Sequence, residues 1–254
     1  MAKEVYYIKY GKANSLIKSP QKATQFSFVD TEEDETIFEG RIGDFLCFES
    51  QIKAQLEAVG FQKEGFFKKN IACVAIPIDT TPIDKKNIFD CCDQVGFSEV
   101  YLVYEHIALA IALKYSFPGI KTFGIIDAGC SKVDISVVQD PSRLNKSSFK
   151  LGKERYAKYL YDPMLSELLF KLIAFDAKLV FEDFLPTQSS QLILTGGRMN
   201  QTEFIEGFLN EFEFKNLAIR IDNNDELVIS GLESIWKSES QKLKTNSFIQ
   251  KMKT

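Results

Sequence analysis

A polar turn between two apolar strands is the stretch of this sequence whose residue types could do chemistry. Residues 123–126 and 133–138 carry the β-branched and aromatic residues that favour strands, and residues 127–132 between them have the sequence DAGCSK. A small-residue hairpin of this kind can press its backbone amides against a phosphate, and this one carries a carboxylate, Asp127. Taken alone, the stretch also fits an ordinary hairpin of an α/β sheet.

Strands and helices alternate along the rest of the chain, which predicts an α/β architecture. The apolar run at 71–78 is the strongest strand signal, and Thr81 followed by Pro82 is a typical helix start. Further strands are predicted at 4–10, 15–17, 99–103, 191–195 and 218–221, and helices after Asp44, from Pro82 to near Gly96, at 105–115 and 153–161, after Pro163, after Asn200 and at 225–236.

Composition limits the classes of function. The chain has 254 residues and a formal net charge of -4, so no basic excess predicts binding to nucleic acid or anionic lipid. Five cysteines, one histidine and no Cys-x-x-Cys pair disfavour a zinc site and predict reduced thiols. No apolar run is long enough to span a membrane, and the first residues lead directly into a strand. We therefore expect a cytoplasmic protein without a transmembrane segment.

Several short motifs occur in an order that resembles the MreB family of bacterial cell-shape actins. They lie at 8–16 (IKYGKANSL), 40–45 (GRIGDF), 74–77 (VAIP), 102–106 (LVYEH), 127–132 (DAGCSK) and 193–197 (ILTGG). The ordered set is typical of the superfamily of actin, sugar-kinase and heat-shock-chaperone ATPases, and the MreB branch is the preferred one.

The resemblance implies an α/β, actin-like (ribonuclease H-like) fold with two lobes. Residues 1–118 are assigned to lobe I, with subdomain IA and a reduced IB, and residues 119–236 to lobe II, with IIA and a reduced IIB. The return of the last helix to lobe I is left open, and residues 237–254 are expected to form a polar, lysine-rich tail that frays. The outer subdomains are expected to be reduced or absent, because only 22–40 and 139–151 stand where the family has them.

The same resemblance assigns candidate site residues. The two hairpin turns become phosphate loops, and the turn after 191–195 becomes an adenosine loop, with ATP or ADP as the implied ligand. Asp127 is the implied carboxylate for Mg²⁺. Glu105 matches the acidic residue that positions the attacking water, although a helix-start carboxylate stabilised by the helix dipole is the alternative. The candidate nucleotide-binding residues are Lys9, Gly11, Lys12, Asn14, Asp127, Gly129, Cys130, Ser131, Lys132, Thr195, Gly196, Gly197 and Arg198.

Lysines and larger side chains stand where the family has an aspartate, threonines and glycines. Lys9 replaces the aspartate of the first loop, Lys12 and Lys132 replace threonines, and Cys130 and Ser131 replace glycines. A fixed cation repels a metal ion, and side chains obstruct a loop that works through its backbone. These departures predict a cleft whose magnesium chemistry is lost or replaced, with merely solvated lysines as the alternative.

Three functions follow from the resemblance. The preferred one is a degenerate MreB-like protein that acts as a cytoskeletal or scaffold partner, binds ATP weakly or not at all, and is not an efficient ATPase. The second is a working small ATPase of the superfamily, with Glu105 positioning water. The third is a nucleotide-free, actin-fold adaptor of a membrane-associated assembly. The expected partners are a protein or a second copy of the chain, with no nucleic acid and with membrane contact only through a partner.

Overall fold

The structure is a computed structural model that describes residues 2–11, 14–30, 35–38, 41–62, 68–129, 132–139, 143–150, 163–181, 189–197, 206, 209–211, 218–222, 224–239 and 249–253. In chain order, the elements are β1 (Ala2–Lys9), β2 (Ser15–Lys18), β3 (Ala23–Phe26), β4 (Ile37–Phe38), β5 (Arg41–Ile42), α1 (Phe45–Ala58), β6 (Lys68–Ile76), α2 (Pro82–Val95), β7 (Glu99–Tyr104), α3 (Glu105–Ser116), β8 (Thr122–Ala128), β9 (Lys132–Gln139), β10 (Arg143–Lys150), α4 (Pro163–Phe181), β11 (Ser190–Thr195), β12 (Ala218–Arg220), α5 (Asn224–Glu239) and β13 (Ile249–Lys253).

These elements divide into two units. The first contains residues 1–112 and 225–254, and the second contains residues 113–224. Nearly all of α5 therefore belongs with elements from the amino-terminal part of the chain. The sequence-based division places the boundary at residue 118, whereas the structure places it inside α3, at residue 112.

The first unit is built on a six-stranded sheet with the order β13-β7-β6-β1-β2-β3. Strands β1, β6 and β7 are parallel, while β2, β3 and β13 are antiparallel to their neighbours. In the middle of the sheet, Ile8 of β1 lies opposite Val74 on one side and Ile17 on the other. Strand β6 is buried from Asn70 to Ile76, which explains why its sequence is a continuous apolar run.

Local sequence signals set the ends of two helices in the first unit. Asp44 caps α1 by accepting a hydrogen bond from the amide of Cys47 at 2.9 Å. At the start of α2, Thr81 and Asp84 cap each other's backbone, and Pro82 stands in the first turn. Helix α2 ends at Gly96, whose φ of 114° is left-handed. These ends agree with the sequence prediction, because each depends on residues close together in the chain.

Helices α3 and α5 touch at their backbones within the first unit. A Cβ added to Gly231 of α5 would overlap the carbonyl group of Ala108 in α3. Further along α5, Trp236 packs edge-on against Tyr101, with the ring centroids 5.4 Å apart. Helix α5 is therefore part of the core of the first unit, and glycine is required at its closest contact.

The lysine-rich tail differs from the sequence expectation. Helix α5 continues to Glu239, and Ile249–Lys253 forms the edge strand β13, in which Lys251 lies opposite Tyr101 of β7. The edge of a sheet offers unpaired backbone groups to any extended segment. Pairing of this kind leaves no pattern in the side chains, so a polar sequence gave no sign of a strand.

The second unit has a five-stranded sheet with the order β10-β9-β8-β11-β12. Strands β8, β11 and β12 are parallel, and β9 and β10 extend the sheet in antiparallel fashion. The buried side of α4 shares one core with β8, β9 and β11, and it consists of Phe170, Ile173, Ala174, Ala177, Val180 and Phe181.

Strand β10 has no counterpart in the sequence prediction, which treats 139–151 only as the remnant of an outer subdomain. Its sequence, RLNKSSFK, lacks the alternation of apolar residues that marks a half-buried strand. The helix predicted at 153–161 and the start of the one predicted after Asn200 lie outside the described residues.

Candidate functional site

The first hairpin, between β1 and β2, is closed by its own side chains. The amide of Gly11 donates to the Ser15 hydroxyl at 3.1 Å, and that hydroxyl donates to the Gly11 carbonyl at 2.8 Å. Asn14 is exposed, and a Cβ on Gly11 would lie 2.9 Å from the Asn14 carbonyl oxygen. Lys12 lies outside the described residues. The Gly11 amide, a predicted phosphate donor, therefore already has a partner within the turn.

Lys9, at the end of β1, forms an ion pair with a carboxylate from the last helix. Its Nζ lies 2.6 Å from Oδ1 of Asp225 in α5, and the two side chains are 12% and 17% exposed. One strand further out, Lys18 pairs with Glu233 of the same helix. The first hairpin thus meets an acidic side of α5, and the positive charge of Lys9 is neutralised inside the first unit.

Tyr10 separates Lys9 from the turn and is itself buried in an acidic surrounding. Burial, with the negative charges of Glu105, Asp84 and Asp79, raises the pKa of Tyr10 well above its usual 10.0. Glu105 is the first residue of α3 and is buried. A carboxylate at that place is favoured by the helix dipole, so the structural alternative for Glu105 has a physical basis.

The second hairpin, between β8 and β9, contains a more deeply buried ion pair. Nζ of Lys132 lies 2.7 Å from Oδ2 of Asp134, and the side chains are 11% and 3% exposed. The amide of Gly129 donates to the carbonyl of Lys132 at 3.0 Å and closes the turn. Cys130 and Ser131 lie outside the described residues. Here too the predicted phosphate ligands Lys132 and Gly129 have partners within the hairpin.

Asp127 is contacted through both carboxylate oxygens. Its Oδ2 accepts a hydrogen bond from Nδ2 of Asn224 at 3.2 Å. Its Oδ1 lies against the backbone of Gly196, where an added Cβ would overlap Oδ1 and the carbonyl group of Ala128. Gly196 also has a φ of 97°, so this position requires glycine twice over. The turn after β11 is therefore packed directly against the end of β8.

The rest of that turn is less constrained. The Thr195 hydroxyl donates to the carbonyl of Ile221 at 3.3 Å, which ties β11 to the end of β12. None of the described residues lies within 4 Å of a Cβ added to Gly197. Arg198 lies outside the described residues.

The structure thus groups the predicted residues into two sets. Lys9, Gly11 and Asn14 lie at the first hairpin, and Asp127, Gly129, Lys132, Thr195 and Gly196 lie around the second. Their roles toward phosphate, adenosine and magnesium stay predictions. Sequence reasoning missed three of their partners, which are Asp225, Asp134 and Asn224.

Only one of these partners had a local signal. Lys132 and Asp134 are two residues apart in a strand, so they project from the same face of the sheet. Asp225 and Asn224 are distant in the sequence from the strands that they contact, and no local pattern links them.

Solved structures with the same arrangement of sheets and helices define the class of the fold as actin-like. MreB5 of Spiroplasma citri bound to ADP matches with a TM-score of 0.69 and 13% identity, over 95% of this chain and 98% of that one. The MamK double helical filament matches with a TM-score of 0.70 and 10% identity, over 92% of this chain and 99% of that one. Ta0583, an archaeal actin homolog, matches with a TM-score of 0.64 and 13% identity, over 92% of this chain and 99% of that one. These likenesses establish the actin-like α/β fold that the sequence predicted.

The family is established by the sequence itself. Residues 35–162, just over half of the chain, match the family described as MreB/Mbl protein. The chain belongs to the MreB/Mbl family. None of the curated proteins matches it. Within the described residues, no helix has the length and apolar character needed to cross a membrane.

Proposed function

We propose that this member of the MreB/Mbl family is a cytoskeletal or scaffold protein that binds ATP weakly or not at all and hydrolyses little of it. The observation that carries the proposal is the ion pair between Lys9 and Asp225, at 2.6 Å. By resemblance, Lys9 stands where the family has a carboxylate on the metal side of the nucleotide. The chain therefore has a cation at that position, and its charge is already satisfied.

The charges explain why nucleotide chemistry is expected to be weak. A phosphate would have to displace Asp225 to reach Lys9, and a divalent cation approaching the same place would meet a fixed positive charge. In phosphoryl transfer, metal ions neutralise the developing charge and hold the phosphate in line with the attacking water. An ammonium group supplies charge but no bound water, so it supports binding better than hydrolysis.

The other part of the proposed role is assembly, either of copies of this chain with each other or with a protein partner. Among the structural relatives, MamK is a double helical filament, and a ParM variant is described as non-polymerisable, at 13% identity and a TM-score of 0.62. PilM, with a TM-score of 0.63 and 9% identity, was solved in a complex with PilN in type IV pilus biogenesis. We propose that this chain likewise acts by assembly in the cytoplasm, with any membrane contact made through a partner.

Calorimetric titration with ATP, with and without Mg²⁺, is the first test. We expect a dissociation constant above about 1 mM in both conditions. Binding below about 10 μM that requires Mg²⁺, with turnover abolished by Glu105→Gln, would instead establish the working ATPase. Glu105 is the right residue for that control because it is the one implied to position the attacking water.

The Asp225→Asn variant tests the ion pair directly. The substitution removes the ion pair between Lys9 and Asp225, and we expect ATP to bind about tenfold more tightly, with or without Mg²⁺. Glu226→Gln is the matched control, because it removes the same charge from the next, exposed residue of α5. An equal gain in both variants would mean that only the net charge matters and that Lys9 is not held back by Asp225.

Sedimentation tests the assembly role. We expect the protein to form pelletable assemblies, alone or with a captured partner, to the same extent with and without ATP. Pelleting that occurs only with nucleotide would contradict the proposal, because assembly would then depend on a site that we expect to be weak.

A further inference from the structure

The second hairpin places two carboxylates directly across from each other. Asp127 of β8 is paired in register with Asp134 of β9 in an antiparallel ladder. Residues opposite each other in such a ladder project from the same face, with Cβ atoms about 4.5–5.5 Å apart. Like charges in that arrangement repel each other, and Asp134 is almost fully buried. The pair therefore needs a cation.

A lysine from the same hairpin supplies one. Lys132 lies two residues before Asp134 and on the same face of β9, and its Nζ is 2.7 Å from Oδ2 of Asp134. Its side chain is only 11% exposed, although a lysine is normally the most solvated of residues. A lysine buried to this extent and held by a buried carboxylate is part of the structure of the hairpin.

The actin-like fold implies Mg²⁺ near Asp127, and the two facing carboxylates of this hairpin do not fit it as a pair of metal ligands. Magnesium takes six oxygen ligands in a near-octahedral arrangement and keeps several waters. Here Oδ2 of Asp127 accepts from the amide of Asn224, and Oδ1 lies against the backbone of Gly196. The second carboxylate, Asp134, is bound to an ammonium group. The buried Asp134 is thus closed to a hydrated divalent ion, and the half-buried Asp127 already has one carboxylate oxygen in a hydrogen bond.

We propose that the ammonium group of Lys132 is the resident cation of the second hairpin and stands in place of a divalent metal ion. Lys132 is thus a positioning residue, which holds Asp134 and Asp127 together across the β8–β9 ladder. The hairpin keeps its geometry without magnesium, whether or not the protein binds a nucleotide. The inference therefore stands apart from the proposed function and has its own test.

The test is thermal unfolding with added MgCl₂ or MnCl₂, against NaCl of matched ionic strength. Wild-type protein is expected to show the same unfolding midpoint in all three salts. Lys132→Ala removes the ammonium group from beside two facing carboxylates, so its midpoint falls in NaCl and rises again in MgCl₂ or MnCl₂, by roughly 2–4 °C. Lys121→Ala, which removes an exposed lysine just before β8, is the matched control and gains nothing from the divalent salts.

Two further variants separate charge from packing. Lys132→Arg keeps the cation and stays insensitive to divalent ions. Lys132→Ala with Asp134→Asn removes both charges, so it no longer needs a cation and loses the response to MgCl₂. If Lys132→Ala alone does not fold, this double variant is compared with wild type in the same three salts. A wild-type midpoint that rises saturably with MgCl₂, and stops rising in Asp134→Asn, would overturn the proposal, because the metal would then already bind at these carboxylates.

Discussion

The two hairpins share one topology and carry opposite charges. In each sheet, a central strand is followed by two antiparallel strands on one side and has two parallel strands on the other, giving β3-β2-β1-β6-β7 in one unit and β10-β9-β8-β11-β12 in the other. Lys9 and Asp127 occupy the same place in this frame, two residues before the turn glycines Gly11 and Gly129. One hairpin thus has a cation, and the other an anion, two residues before its turn glycine.

Each hairpin is neutralised from within its own unit, but in a different way. Lys9 is paired with a carboxylate from a distant helix, and both side chains remain partly accessible to water. The Lys132–Asp134 pair lies within a single strand and is more deeply buried. Because the Lys132–Asp134 pair is more deeply buried, we expect the stability of the second hairpin to depend more on its ion pair than that of the first.

The largest expected difference between the hairpins is in the stability lost when a methyl group is added to the glycine beside each of them. Gly196→Ala would place a methyl group against Asp127 and Ala128 in a left-handed conformation, so we expect a loss of about 3–5 kcal/mol in the free energy of unfolding. Gly11→Ala meets one carbonyl oxygen at 2.9 Å and is expected to cost about 1 kcal/mol. Urea denaturation followed by circular dichroism measures both, and equal losses would remove the contrast.

The ion pairs give the next largest effect. Asp134→Asn removes the carboxylate that pairs with a nearly buried ammonium group and is expected to cost about 3 kcal/mol. The Lys9–Asp225 pair is more exposed to solvent, so Asp225→Asn is expected to cost about 1 kcal/mol. Denaturant midpoints of the two variants, measured beside wild type at pH 7, provide the check. A larger loss from Asp225→Asn would reverse the ranking of the two pairs.

The smallest effect is a pH dependence that belongs to the first hairpin alone. Tyr10 has its pKa raised above 10.0 by burial and nearby carboxylates, whereas Ala128 holds the corresponding place in the second hairpin. A raised pKa in the folded state stabilises the protein fully below pH 10, and this contribution is lost as the pH rises above 10. Between pH 8 and pH 10.5, we expect the free energy of unfolding to fall in both proteins, and to fall by about 0.8 kcal/mol less in Tyr10→Phe than in wild type.

The fluorescence of Trp236 can follow this prediction, because it is the only tryptophan and lies in the first unit. Tyr6 and Tyr7 also have raised pKa values, mainly through burial, so wild type and variant should both lose stability at high pH. Identical pH profiles of the two proteins would show that Tyr10 is not among the groups that titrate on unfolding.

Local chemistry explains how much of the fold could be predicted from the sequence. The start of α2 follows from Thr81 and Pro82, its end from Gly96, and the strand at β6 from a continuous apolar run. Strands β10 and β13 could not be predicted, because they join sheet edges through backbone groups that leave no pattern in the side chains.

The candidate site was accessible to sequence reasoning only in part. The ordered motifs identify both hairpins, because glycines and carboxylates at turns stand out locally. The pairing of Lys9 with Asp225 joins opposite ends of the chain, and only the folded structure brings them together. Lys132 and Asp134, in contrast, are only two residues apart in β9, and this spacing alone places them on one face, where they can pair. The family resemblance instead assigns Lys132 to a phosphate.

The close crossing of Gly231 with Ala108 has a consequence for synthesis on the ribosome. The first unit takes its last helix from residues made after the whole second unit, residues 113–224. At a synthesis rate of about 5–20 residues per second, roughly 5–20 s pass between completion of the amino-terminal strands and synthesis of the helix that completes their core. During this interval, the second unit is itself being synthesised. Until residue 231 has been made, the surface of α3 that later receives Gly231 is not covered by α5.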